Sequence, residues 1–521
     1  MSKPIDKKLC TIDEAICLIK DEQYVVSGGF VGAAHPEVLT AALEKRFLET
    51  GTPKNLTLVC GAGQGDRGGS GANHFAHSGL LKRFIGGHCG LAPDLGKMIL
   101  EGAIEAYNLP QGTLVQLLRD IAAGRPGVIT HIGLNTFVDP AIGGGRLNDR
   151  TPPALIERVE LGGKNWLWYK AFPVHIGLIR GTAADPFGNI VMNKEAIFGE
   201  MLPISQAVHN CGGIVIAQVG ELLKEPADPH LVRVPGILVD KIVLAEPHQH
   251  KQTFTKHYHP AYCCSKPADK TGVEDWETLP MNAARIIASR ACDEIPPGAI
   301  VNIGIGIPES IAKIAAERGL IDNFTMTVES GTVGGIPAGG LDFGAAIYPQ
   351  AVVDQPAQFD FYDGRGLDFS ALGAAQIDAS GNVNVSKYGN KLSGVGGFIN
   401  VSQTAKRLVF CGTFTADGIK IAVKNGKVCI LSEGRIRKFI KSVEQICFSA
   451  DYARRIDQEV LYVTERAVFK LAKDGIELIE VAPGIDVQKQ ILDMMDFKPI
   501  IRQIRPMAEY IFKPNEGNEN G

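Results

Sequence analysis

Apolar residues in this chain follow two rhythms, and the change from one to the other marks its elements. The stretch "YVVSGGFVGAAHPEVLTAALEKRFLETGTPKNLTLVCGAG", Tyr24 to Gly63, opens with a short apolar run and passes through glycines. It then sets Leu39, Leu43 and Phe47 at four-residue spacing. That spacing predicts a helix with one apolar stripe, and the flanking runs predict buried strands. "AIVNIGIGIPESIAKIAAERGLIDNFTMTVESG", Ala299 to Gly331, repeats the order, with Ile307, Ile311 and Ile314 as its stripe. Pro36 and Pro308 stand at the first helical turn, where a missing N–H costs nothing. Gly51 and Gly319 stand where a left-handed helix terminus belongs. Each copy is predicted to be a βαβ unit, its parallel strands joined by a right-handed crossover. Asn55 matches Asn323, and Gly63 matches Gly331, both at an offset of 268 positions.

A fainter echo lies in "GTAADPFGNIVM" and "AAQIDASGNVNV". Both hold Asp-x-x-Gly-Asn between apolar residues, at Asp185–Asn189 and Asp378–Asn382, a hairpin or turn signature. "VLYVTERAVFKLAKDGIELIEVAPGID" alternates like a meander about an Asp474-Gly475 turn, and "VQKQILDMM" follows as a short amphipathic helix. The chain is too long, at 521 residues, for one ordinary core. The pattern predicts two tandem, similar α/β domains over 1–270 and 281–513. The polar, proline-marked stretch 271–280 is the expected linker, and 514–521 an expected disordered tail.

Composition narrows the function. Net charge is −4 and no basic patch stands out, which argues against nucleic acid as the main ligand. No apolar run is long enough to span a membrane. The charged N-terminus lacks a signal-peptide core. The eleven cysteines show no metal-ligand spacing and are expected to be reduced thiols, so a cytoplasmic location is expected. The histidines and cysteines of "HQHKQTFTKHYHPAYCC" fit an aromatic loop better than a metal site. Glycine is in excess, at 60 residues where about 7% usage gives roughly 36.

The candidate chemistry sits in "VESGTVGGIPAGG". Glu329 ends the second strand of its unit, the edge of an open α/β sheet at which ligands bind. Gly331, Gly334, Gly335, Gly339 and Gly340 follow it, so a large ligand is expected to approach closely. The first copy has Gly61 at the matching position, so the repeat does not itself require an acid there. All twelve histidines lie between His35 and His259, which excludes a histidine-based device within the second domain. Glu329 then acts as nucleophile or base, binds something, or borrows partners from the first half. "GIGIPE" with an acid 23 residues after Gly306 also imitates a dinucleotide fingerprint, but Glu309 occupies the third glycine's place. A nicotinamide-dependent oxidoreductase and a non-catalytic ligand sensor stay open as alternatives.

With "SGGFVGAAHPEVL", "NLPQGTL", "ADPFGNI", "VPGILVD", "VNIGIGIPESIA", "VESGTVGG", "SGNVNVS", "GVGGFINV" and "EVAPGID", the sequence resembles the family I coenzyme A transferases over nearly its whole length. It is most similar to their single-chain bacterial acetate/propionate branch, though the 3-oxoacid branch is an alternative. The resemblance implies an α-type and a β-type half with open α/β folds and the active site in the cleft between them. It implies ping-pong transfer of CoA between short-chain acyl-CoA and carboxylic acids through a glutamyl-CoA thioester on Glu329, with no tightly bound cofactor and no metal. It also implies that Gln111 supplies an amide to the oxyanion, and that Gly304, Ile305, Gly306, Ile307 and Pro308, with Gly396 and Gly397, contact CoA. A homo-oligomer, dimer or tetramer, is the family's usual assembly.

Overall fold

In a computed structural model that describes residues 4–265 and 278–513, the chain is α/β and forms two compact units. The first comprises Met1–Pro267 with Thr327–Gly364 and Gly389–Asn400. The second comprises Ala268–Met326, Arg365–Tyr388 and Val401–Gly521. Glu329 thus belongs to the first unit, although it lies beyond the expected linker. Residues 271–277 of that linker, and the expected tail 514–521, lie outside the described residues.

The first unit is built on a mainly parallel sheet. Tyr24–Ser27 pairs in parallel with Leu56–Cys60 on one side and Ile176–Ala184 on the other. Leu56–Cys60 continues in parallel to Leu81–Gly86, and that strand to Glu105–Asn108. Ile176–Ala184 also pairs in parallel with Ile214–Leu222, which pairs with Lys241–Leu244. All residues of Leu56–Cys60 and Ile176–Ala184 are buried, which is why these strands read as near-continuous apolar runs. Helix Glu37–Thr50 crosses between the first pair as its spacing predicts, burying Leu39 and Leu43 and ending at Gly51 with φ 69°. Helices Gln111–Ala122, Met201–Asn210 and Gln355–Asp363 pack together, the first against both others.

In the second unit Ile300–Ile303 pairs in parallel with Phe369–Gly373, then Arg407–Cys411, then Glu459–Val463. The meander follows as expected. Glu459–Val463, Ala467–Ala472 and Gly475–Val481 are successive antiparallel neighbours, the last pair joined at Asp474-Gly475. Helix Ser310–Glu317 buries Ile311 and Ile314, and Gly319 beyond it has φ 66°. The segment expected as one amphipathic helix is instead a four-residue turn of helix, Val487–Gln490, followed by a 3-10 turn, Leu492–Met494.

The Asp-x-x-Gly-Asn echo proves to be one turn built twice. Asp185 Oδ1 accepts from Phe187 N and Asn189 N at 2.9 and 3.0 Å, while Asn189 Nδ2 donates to Oδ2 at 3.0 Å. Asp378 accepts from Ser380 N, Asn382 N and Asn382 Nδ2 at 3.0, 2.9 and 3.0 Å. Among the described residues no helix is long and apolar enough to cross a membrane, and no group of three or more His, Cys, Asp or Glu could hold a metal ion.

Candidate functional site

Glu329 is held at a corner. Gly331 N donates to Val328 O at 3.0 Å, closing a four-residue turn with Glu329 and Ser330 at its centre. Ser330 Oγ anchors the turn by donating to Gly344 O at 2.5 Å. The side chain of Glu329 is nearly enclosed, at 8% exposure. Three of the glycines that follow it, Gly331, Gly334 and Gly335, do not open space for a ligand as expected. Gly331 has φ +110°, and a methyl there would stand 2.0 Å from Val353 O. Gly334 and Gly335 are likewise left-handed and pressed against Gln350 and Tyr348. These residues are glycines because the chain folds tightly on itself.

The glycine that borders the carboxylate comes from elsewhere. A methyl on Gly397 would lie 2.9 Å from Glu329 Cγ, 3.5 Å from Oε1 and 3.3 Å from Phe359 Cζ. Its neighbour Gly396, with φ +53°, borders Gln111: a methyl there would lie 3.6 Å from Oε1 of that residue. Gln111 is the first residue of its helix, and its N–H donates to Gly396 O at 2.9 Å. Its side chain is 3% exposed, and the amide nitrogen has no partner among the described residues. The 394–397 loop is stitched in place by Asn108, whose Oδ1 accepts from Val395 N at 3.0 Å. Nδ2 of Asn108 donates to the carbonyls of Gly86 and Gly87. Glu329, Gln111, Gly396 and Gly397 are therefore brought together within the first unit.

Gly304, Ile305, Gly306, Ile307 and Pro308 belong to the second unit. Gly304 follows strand Ile300–Ile303 and donates to Ala371 O at 2.9 Å. Gly306, φ +87°, introduces the 3-10 turn Ile307–Glu309, in which Pro308 is buried, while Ile305 is 51% exposed. The turn is thus a left-handed glycine preceded by an exposed apolar side chain.

Two residues not singled out in the sequence complete the first unit's polar interior. Glu200 is fully buried, and among the described residues neither carboxyl oxygen has a partner at hydrogen-bond geometry. Burial pushes its pKa up to about 8, and the nearby N–H groups of Gly29 and Glu200 itself offset this only partly. Gln355 is also fully buried, and neither of its side-chain polar atoms has a partner among the described residues. Their heads converge on Gly61: a methyl there would lie 3.5 Å from Glu200 Oε1 and 4.0 Å from Gln355 Oε1. Gly61 is the repeat counterpart of Glu329. The signal for Glu200 was thus an absence, a missing side chain whose space is claimed by residues distant in sequence. His88 lies at the same loop, bridged through its backbone to Gly394, and burial followed by the charge of Arg67 lowers its pKa to about 4.

The arrangement offers a carboxylate on a turn and a buried amide, each bordering one of two adjacent glycines. Known proteins share its sequence and fold. A family model described as coenzyme A transferase matches residues 10–245. The acetate CoA-transferase YdiF of Escherichia coli strain K12 is 42% identical over 504 residues, covering 96% of this chain and 94% of that protein. The caffeate CoA-transferase of Acetobacterium woodii is 42% identical over 503 residues, covering 95% of each. A crystal structure of the acyl-CoA transferase YdiF from E. coli O157:H7, a thioester complex with CoA, matches with a TM-score of 0.91. It is 39% identical and covers 98% of this chain and 97% of that one.

Proposed function

We propose, from the premise that this chain belongs to the coenzyme A transferase family, that it moves CoA between short-chain acyl-CoA thioesters and free acids of the acetate and propionate class, with Glu329 as nucleophile. The carboxylate attacks the thioester carbonyl and expels CoA thiolate, leaving an acyl-glutamyl anhydride. The thiolate then attacks the glutamyl carbonyl, expels the acyl group as a free acid, and leaves CoA on Glu329 as a thioester. A second acid runs the same two steps in reverse.

The observation that carries this reading is the juxtaposition of Glu329 and the unpartnered Gln111 amide about Gly396 and Gly397. A carboxylate is a weak nucleophile toward thioesters, so the barrier falls only where donors await the developing oxyanion. A buried amide with no ground-state partner suits that task, since it has no existing bond to break. The relative bearing a CoA thioester is consistent with the intermediate. Contact of Gly304–Pro308 with CoA, and assembly as a homodimer or homotetramer, belong to the same proposal. A short acid is favoured because Glu329 and Gln111 are both more than nine-tenths enclosed. Relatives named for acetate and for caffeate are equally similar, so a competition assay between acetate, propionate and an aromatic acid decides acid size.

The decisive experiment is intact-protein mass spectrometry after acyl-CoA is added without an acceptor acid. A CoA-sized adduct should appear on Glu329, and Glu329→Ala should lose adduct and turnover together, by at least about 10³-fold. Turnover through a ternary complex with no adduct on Glu329 overturns the reading.

A further inference from the structure

The helix that carries Gln111 is tied down by a chain of buried amides. The N–H of Gly112, its second residue, donates to Asn400 Oδ1 at 3.1 Å. Asn400 Nδ2 donates in turn to both carboxyl oxygens of Asp363, at 2.9 and 3.2 Å. Asp363 also accepts from Gln116 Nε2 at 2.9 Å, one turn further along the same helix. The carboxylate therefore holds the helix twice, through Asn400 at its first turn and directly at its second. There is no slack at the joint. A methyl on Gly112 would stand 2.5 Å from Asn400 Nδ2 and 2.3 Å from the Phe359 ring. Segment 396–400 thus grips the start of the helix at both ends, since Gly396 O takes the Gln111 N–H.

We propose that Asp363 is a positioning residue for the transfer reaction: acting through Asn400, it sets the first turn of the helix and so the place of the Gln111 amide beside Glu329. The inference rests on the reading above, in which that amide stabilises the oxyanion. Its logic is the polarity of a primary amide. Asn400 can turn its oxygen toward Gly112 N–H only if its nitrogen meets an acceptor, and an ionised carboxylate is acceptor-only. Burial raises the pKa of Asp363 to about 7 against the bonds from Asn400 and Gln116, so a carboxylate here is costly to keep. Orientation of the amide is what the carboxylate supplies, and a displacement of about 1 Å in a reacting group can cost about 10²-fold in rate.

The test exchanges the two polarities. Asp363→Asn replaces one acceptor oxygen by a donor nitrogen, so that Asn400 Nδ2 and Gln116 Nε2 compete for the oxygen that remains, and Asn400→Asp sets a carboxylate against a carboxylate. The double variant restores each pairing with roles reversed: the carboxylate at 400 accepts from Gly112 N–H and from the amide at 363, whose oxygen accepts from Gln116. Single-turnover formation of the CoA adduct on Glu329 is measured per folded chain, with the KM for acyl-CoA. Each single variant should slow adduct formation roughly 10- to 100-fold while KM moves less than about three-fold, and the double should return to within about three-fold of the parent rate. Should Asn400→Asp not fold, Asp363→Asn and the double variant still decide. A parent rate in Asp363→Asn, or a double variant no faster than that single, overturns the proposal. Gln111→Leu, run alongside, separates the two levels. If it is slow while Asp363→Asn is not, only the relay falls; if it keeps the parent rate, the oxyanion reading falls and takes the relay with it.

Discussion

At the residue scale the site is defined as much by missing side chains as by present ones. Gly397 is the sharpest case. A methyl 2.9 Å from Glu329 Cγ and 3.3 Å from Phe359 cannot be absorbed without moving one of them. Gly397→Ala should lower kcat by at least about 10-fold, read in a steady-state transferase assay, while leaving the circular dichroism spectrum unchanged. Glu200 makes a separate prediction in pH. Its carboxyl is raised from an ordinary 4.5 to about 8, so the folded chain holds a proton that the unfolded chain releases. Between those values folding stability falls as pH rises, and the loss is complete above about pH 8. Glu200→Gln, neutral at every pH, should melt close to the parent at pH 5 and at higher temperature than the parent at pH 8.5. Scanning calorimetry at the two pH values checks it. Glu329 stood out in the sequence as a candidate because it ends a strand and its repeat counterpart is Gly61 rather than an acid. Glu200 did not, because nothing local distinguishes a buried acid from a solvated one on a helix end.

At the scale of elements, the period of apolar residues carried the fold where the strands are long and buried. Tyr24–Ser27, Leu56–Cys60 and the helix between them lie where the spacing predicts, and so does the meander. The antiparallel sheet of Gly127–Thr130, Ile156–Leu161 and Lys164–Lys170 gave no comparable signal, because its middle strand "KNWLWYK" has no fully apolar face. Gly331, Gly334 and Gly335 misled for a related reason. Composition records that bulk is absent without recording whether ligand or backbone fills the space. The twin Asp turns show local chemistry outlasting divergence of the residues around it. Asp185→Ala removes four bonds to a buried carboxylate, the three of the turn and one from Ala227 N, and Asp378→Ala removes three. Each should cost about 2 to 3 kcal/mol in urea unfolding, and the two costs should be similar although the residues sit in different units.

At the scale of the whole molecule, sequence order and compactness part company. The repeat made two tandem domains legible, but segments 327–364 and 389–400, which carry Glu329, Phe359 and Gly397, join the first compact unit. Their membership depends on contacts between distant residues, such as Gly112 with Asn400, that periodicity does not encode. A fragment ending at residue 265 would strip helix Gln111–Ala122 of Gln355–Asp363 and of the 394–400 loop. Expressed alone it should show no cooperative thermal transition, whereas co-expression with residues 266–521 should restore one and recover transferase activity.

The blank at Gly61 sets a ceiling on stoichiometry. A β-carbon there would meet Val115 Cγ1 at 2.5 Å before it reached the carboxyl of Glu200, so the first repeat cannot host an acid of its own without rebuilding its wall. Under the proposed mechanism the doubled architecture keeps a single covalent acceptor, and exhaustive titration with acyl-CoA should saturate at one equivalent of CoA per polypeptide rather than two.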